Sequence, residues 1–140
     1  MSKKNTQLDT RSPQKLTLAS TSRYRSALLA RLKLPFDVID PGVDETALPG
    51  EAPQDLARRL AIAKAGSPLA PPSQWVIGSD QVLVCQGHLM GKPHTTHNAL
   101  DQLKLCSNHQ ATFYTAVCLK HRSKRAEYVS LVATEVVFRD

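Results

Sequence analysis

Long hydrophobic runs are missing from this chain. No apolar stretch in its 140 residues approaches the roughly 20 needed to cross a bilayer. The first residues also lack the apolar core of a secretory signal, so a cytoplasmic address and no membrane association are expected. Cysteine is scarce: Cys85, Cys106 and Cys118 stand at no paired spacing. That excludes a disulfide framework and leaves them as small buried hydrophobes in a reducing compartment. His94 and His97 lie close together, but no cysteine or second histidine pair completes a ligand set, and zinc is not expected. Aromatic residues make up only 5%, which weakens any stacking platform for single strands. The Gly-x-x-x-x-Gly-Lys pattern of a P-loop is absent as well.

What is present is an ordinary globular composition, 41% hydrophobic and 21% charged. The length suits one domain with a real core. The formal net charge of +6 points to an anionic partner: nucleic acid, a nucleotide, or nothing specific. Part of the excess is incidental. Lys3, Lys4 and Arg11 sit in a polar leader, with Lys15 at its end, and the run His121–Arg125 reads as an exposed hairpin tip.

Residues 1–14 carry almost no apolar side chains and are expected to be disordered. The folded domain is expected over 15–140. Leu16–Ala19 reads as a first strand, and Ser20, Thr21 and Ser22 supply candidate helix caps. A helix follows with Tyr24, Ala27, Leu28 and Leu32 on its inward stripe, ended by Pro35. Phe36–Ile39 is a second strand, closed by an Asp40-Pro41-Gly42 turn. The acidic loop 43–46 leads to a helix beginning near Pro53, with Leu56, Leu60 and Ala63 inward and Gly66 as its stop. Trp75-Val76-Ile77 enters a central strand that is expected to break into a small-residue turn at Gly78-Ser79-Asp80, with extended structure resuming at Val82. Gln86-Gly87 signals a hairpin, and residues 89–93 return toward Asp80. A third helix is expected over 96–106 with Ala99, Leu100, Leu103 and Cys106 inward. Two long strands then span 111–119 and 126–138. Strand–helix–strand–helix–strand followed by a hairpin predicts an α/β fold, a mixed β-sheet flanked by helices.

Ligands in such folds gather where strand ends meet helix starts, which is where Ser20–Ser22, Glu45 and Asp80 fall. Hydroxyl residues at a helix N-terminus can hold an anion through free N–H groups; plain capping with surface arginines is the other reading. Glu45 and Asp80 on separate segments can share a hard divalent cation together with phosphate oxygens. Lys64, Lys92 and Arg25 would neutralise the rest of a polyphosphate. A glycosidase also uses paired carboxylates, but does not need three cations converging on them.

Five blocks in order are similar to the Maf family of nucleotide pyrophosphatases: Leu-Ala-Ser-Thr-Ser-Arg-Tyr-Arg (18–25), Val-Asp-Glu-Thr (43–46), Leu-Ala-Ile-Ala-Lys-Ala (60–65), Ile-Gly-Ser-Asp-Gln-Val (77–82) and Gly-Lys-Pro (91–93). The later Thr-Phe-Tyr-Thr-Ala-Val (112–117) matches too, and the likeness covers residues 16–140. It implies a fold like that of inosine triphosphate pyrophosphatases. It implies hydrolysis of a nucleoside triphosphate to monophosphate and diphosphate, which limits incorporation of modified nucleotides. Asp80 would accept the proton of the attacking water and share a divalent cation, Mg2+ or Mn2+, with Glu45. Ser20, Ser22 and Arg25 would line the phosphate pocket, with Lys64 and Lys92 balancing charge. A homodimer is implied, and no specific nucleic acid partner.

Members acting on thymidine and uridine triphosphates usually carry Arg-Arg after the serines and Asp-Thr at the acid. Here those pairs are Tyr24-Arg25 and Asp80-Gln81, a combination that resembles the 7-methyl-GTP pyrophosphatases. The methylated guanine is cationic, and an aromatic face attracts a cation; an amide can both donate to and accept from a base edge. The alternative placement is Tyr24 buried on its helix stripe. Where the family continues into a second lobe, the sequence ends at Asp140, so that lobe is expected to be incomplete and the last strand to expose an edge. An inactive nucleotide-binding protein, a dTTP/UTP pyrophosphatase and a basic nucleic-acid-binding module are the competing expectations.

Overall fold

The computed structural model describes residues 15–140, and the expectation for residues 1–14 lies outside them. The elements are β1 (Leu16–Ala19), α1 (Arg23–Ala30), β2 (Phe36–Ile39), α2 (Pro53–Ala65), β3 (Trp75–Cys85), β4 (His88–Met90), α3 (Thr96–Cys106), β5 (Gln110–His121) and β6 (Ala126–Val137). They build one mixed sheet in the order β2-β1-β3-β5-β6, with β4 also on β3. β1 runs parallel to both β2 and β3, whereas β4 and β5 are antiparallel to β3, and β6 is antiparallel to β5. This is the α/β architecture that the alternation of elements predicts.

The sheet has one irregularity that matters. β5 occupies one edge of β3 from Val76 to Cys85. On the other edge β1 pairs only as far as Gly78, and β4 takes over at Leu83. Among the described residues Ser79–Val82 therefore have no strand partner on that side, and the carboxyl ends of β1 and β2 open onto the gap.

One face of the sheet is closed by α2. Proline occupies its first turn, Asp55 lies in that turn, and Gly66 ends it, as expected of helix starts and stops. Leu56, Ala57, Leu60, Ala61 and Ala65 pack with Val82, Ala116 and Cys118. The buried stripe thus runs through Ala57, Ala61 and Lys64, and Ala63 is only partly covered. The approach is unusually close. A Cβ on Gly78 would lie 2.3 Å from the Ala61 carbonyl oxygen and 2.4 Å from the Ala65 nitrogen.

That contact overturns the turn expected at 78–80, because β3 is uninterrupted from Trp75 to Cys85. The small residues there are spent on the helix: Gly78 lets α2 in, and the Ser79 hydroxyl donates to the Ala116 carbonyl at 2.8 Å. Asp80 sits in mid-strand.

The opposite face is open, which corrects the inward stripe expected of α1. That helix has no buried residue. Leu28 is exposed, and so is Leu32 beyond its end. Leu18, Leu28, Leu29, Leu32, Ile77 and Val117 line a trough rather than a core. α3 is similar: Cys106 is buried beside Cys85 and Ala111, while Leu100 and Leu103 are half exposed. Gln86 and Gly87 both adopt positive φ (50° and 75°), the geometry of a two-residue hairpin turn. The basic tip is only partly exposed. His121 is buried edge-on against Trp75, Arg122 donates to the Ala70 carbonyl, and Ser123 donates to that of Pro72. All three cysteines are free and buried, and among the described residues β6 is an outer edge. No helix among them is long and apolar enough to cross a membrane.

Candidate active site

The gap in the sheet opens into a cavity of about 460 Å3, lined by residues that leave β1, β2 and β4 as well as by α2 and β3. β1 delivers the first wall. The Ser20 hydroxyl accepts from the Ser22 N–H at 3.1 Å and from Arg25 Nη1 at 3.4 Å, and Ser22 caps α1 by accepting from the Arg25 N–H. Serine suits both positions because its short side chain reaches back to the backbone of the first turn. Arg25 is thereby held over the opening.

The second wall follows β2. Gly42, at φ 63°, donates its N–H to the Asp40 carboxylate at 3.0 Å. This tight turn sends the chain into the acidic loop, where Asp44 accepts from both the N–H and the hydroxyl of Thr46. Those two bonds hold the Asp44 carboxyl below its ordinary value. Glu45 stands between them, its side chain 56% exposed.

The centre of the site is Lys64. Its side chain is only 6% exposed, and its Nζ lies 2.8 Å from Glu45 Oε1 and 3.0 Å from Asp80 Oδ1. It also donates to the Ser79 carbonyl at 3.4 Å. A buried lysine needs such partners, since leaving an ammonium unpaired in the interior is costly.

The two carboxyls it bridges behave differently. Burial pushes Asp80 above its ordinary value, against the hydrogen bond and charge of Lys64, and the nearby Glu45 charge adds to the rise. Glu45 is instead held low, first by its hydrogen bond from Lys64 and further by the charges of Lys64, Lys92 and Arg25. Carboxyls driven apart in this way are suited to unlike roles, one ready to take a proton and the other ionised.

Lys92 completes the third wall with Leu89, Met90 and Gly91, so the return of the chain after β4 falls where expected. Gln81 also lines the cavity, and its amide donates to the Thr115 hydroxyl at 3.0 Å. Asp80 and Gln81, adjacent in a strand, project to opposite faces. Tyr24 is the exception. Its ring is 89% exposed on α1 and is not part of the cavity lining. The buried placement is ruled out.

The carboxylates that could hold a cation here are those of Glu45 and Asp80. Among the described residues no cluster of three His, Cys, Asp or Glu side chains could complete a protein-only ligand set. Two carboxylates beside an open anion pocket fit a hard cation that takes its remaining ligands from phosphate and water. Sequence reasoning missed Arg59 and Glu51, whose pairing organises the acidic loop. They are eight residues apart with one of them outside the helix, a spacing that no helical rule flags.

Comparison with known proteins places the chain in a family. The model of the Maf-like protein family matches residues 15–140. The chain is 47% identical over 131 residues to the 7-methyl-GTP pyrophosphatase of Burkholderia orbicola (strain AU 1054), covering 91% of this chain and 62% of that one. It is 46% identical over 127 residues to the protein of that name from Nitrosospira multiformis, covering 90% and 64%. The chain thus spans less than two thirds of the length of these curated relatives. Among solved structures, the Ham1 protein of Staphylococcus aureus aligns with a TM-score of 0.55 at 15% identity, covering 87% of this chain and 70% of that one. The Mycobacterium abscessus nucleoside-triphosphatase / dITP/XTP pyrophosphatase aligns at 0.50 and 17%, covering 86% and 72%. At those identities the likeness is one of fold. Fold, block order and family model agree, and the chain belongs to the Maf family.

Proposed function

We propose that the chain is a nucleoside triphosphate pyrophosphatase whose preferred substrate is 7-methyl-GTP, cleaved to the monophosphate and diphosphate. The observation that carries this reading is the carboxylate pair bridged by Lys64, with Asp80 raised and Glu45 lowered, facing a cavity edged by Ser20, Ser22, Arg25 and Lys92. In this reading Asp80 takes the proton from a water attacking the α-phosphorus, a task that its raised proton affinity favours. Ser20 and Ser22, with the start of α1, hold phosphate oxygens, and Arg25, Lys64 and Lys92 offset the charge that builds on the departing diphosphate. Glu45 and Asp80 would hold a divalent cation, Mg2+ or Mn2+, which would supply Lewis acidity to the phosphates.

Base choice falls to Tyr24 and Gln81. The unpacked tyrosine ring offers a face to a cationic base, worth about 0.5–2 kcal/mol. The names of the relatives support the same substrate. A cytoplasmic address and a homodimer belong to this reading; three free buried thiols agree with a reducing compartment.

The test is a screen of nucleoside triphosphates with Mg2+ or Mn2+, reading diphosphate release. Selective release from 7-methyl-GTP is expected. Preference for dTTP or UTP would move the chain to the other branch of the family. Nucleotide binding without release from any triphosphate would overturn the enzymatic reading.

A further inference from the structure

Glu45 poses a mechanical question. It lies on irregular chain between β2 and α2, its side chain is more than half exposed, and yet its carboxylate is held 2.8 Å from Lys64. Lys64 alone is a weak anchor for such a loop, because a flexible ammonium grips a carboxylate from many directions.

The loop is held from behind by Arg59. Its Nε and Nη2 donate to Glu51 Oε2 and Oε1 at 2.7 and 2.9 Å, and Nη2 also donates to the Thr46 carbonyl at 3.0 Å. Thr46 is the residue after Glu45. Glu51 Oε1 in turn accepts from the Leu48 N–H at 3.1 Å, and the Glu51 N–H donates to the Leu48 carbonyl at 3.1 Å. One guanidinium therefore fastens both ends of the segment 46–51. The Glu51 side chain is 9% exposed, unlike the pair Arg58–Asp55 on the same helix, which is 3.8 Å apart and solvated on both sides. Solvated pairs of that kind contribute little. A bidentate arginine on a covered carboxylate fixes direction as well as distance.

Arg59 and Lys64 both belong to α2, the helix that touches Gly78 of β3. The chain from Asp80 through Lys64 and α2 to Arg59 and Glu45 is thus continuous. We infer that the Arg59–Glu51 pair is a positioning clamp that sets where Glu45 stands relative to Asp80, and so sets the affinity of the two carboxylates for a divalent cation. This rests on the reading that Glu45 and Asp80 share that cation. Neither Arg59 nor Glu51 lines the cavity.

The experiment measures Mn2+ binding to the full chain by electron paramagnetic resonance of free Mn2+, alone and with a non-hydrolysable triphosphate. Arg59→Lys keeps the charge and loses the fork; Glu51→Gln keeps the shape and loses the charge. Both are expected to weaken Mn2+ about 10-fold or more, the scale on which supporting residues act on metal sites. Arg58→Ala is expected to bind Mn2+ as the parent does. Melting curves run beside each variant separate loss of affinity from loss of folded protein. Should the chain turn over, the Mn2+ needed for half-maximal rate shifts by the same factor while kcat at saturating Mn2+ is retained. Parent-like Mn2+ affinity in Arg59→Lys overturns the clamp, as does a loss that merely tracks unfolding or a parent that binds no Mn2+. Mn2+ binding that depends on Glu45 and Arg59 without any turnover supports the clamp and sinks the enzymatic reading instead.

Discussion

Replacing Gly78 by alanine tests how the sheet and the site are coupled. The new methyl carbon would lie 2.3 Å from the Ala61 oxygen and 2.4 Å from the Ala65 nitrogen, where ordinary contact begins near 3.4 Å. Both obstacles are helix backbone, which cannot swing aside as a side chain can. α2 must retreat by about 1 Å, loosening Leu56, Ala57 and Leu60 from Val82 and Ala116. Overpacking a close-packed core costs about 1–3 kcal/mol, and a clash with backbone on two sides belongs at the top of that range. For a domain of this size a loss of about 3 kcal/mol lowers the melting temperature by roughly 10 °C. The site suffers too. Lys64 rides on α2, so its 3.0 Å contact with Asp80 stretches beyond hydrogen-bonding reach, and a displacement of that size costs on the order of 100-fold in rate. Thermal melting followed by circular dichroism, with diphosphate release on the folded fraction, reads both effects. Gly91→Ala is the control for the melting temperature alone, since a Cβ there meets nothing within 4 Å although the residue lines the cavity. A Gly78→Ala melting temperature within about 2 °C of the parent, less than one kcal/mol would produce, refutes the reasoning.

Three further outcomes are expected. Asp80→Asn removes hydrolysis while leaving a folded chain by circular dichroism, and near-normal turnover would count against Asp80 as proton acceptor. Tyr24→Arg lowers kcat/KM for 7-methyl-GTP by about 2- to 30-fold relative to GTP, the span of a cation–π contact; an unchanged ratio removes the stacking contribution. In the metal-free chain the Asp80 carboxyl, followed by nuclear magnetic resonance, should titrate above its ordinary value because burial raises it. Lys64→Met should move it further up, since the lysine works to lower it. A carboxyl at or below the ordinary aspartate value contradicts the burial argument.

Much of the fold was legible because local rules and packing agree. Pro53 and Gly66 bound α2 as expected, and Gln86-Gly87 makes its hairpin turn. The errors have physical causes. Gly78-Ser79 looked like a turn because small residues serve turns and close packing alike, and only the position of α2 distinguishes them. The periodicity of α1 shows that one face is apolar, not that something covers it, and that face is exposed. In the site, Ser20, Ser22, Arg25, Glu45, Lys64, Asp80, Gln81 and Lys92 all line one cavity, although they span more than half the chain. Tyr24 does not line it. Arg59 could not be anticipated, since its value lies in a carbonyl and a carboxylate brought to it by an irregular loop.

The interrupted edge of β3 also acts as a ruler. From Gly78, the last residue paired with β1, to Leu83, the first paired with β4, is five strand steps, or about 17 Å at the pitch of an extended chain. The cavity mouth is therefore gauged by a rigid repeat and not by loop length. Loops such as 40–52 can vary without changing that gauge. Deleting Ser79 would narrow it by about 3.3 Å and, by the alternation of strand side chains, turn Asp80 to the far side of the sheet from the face that Gly78 presents to α2.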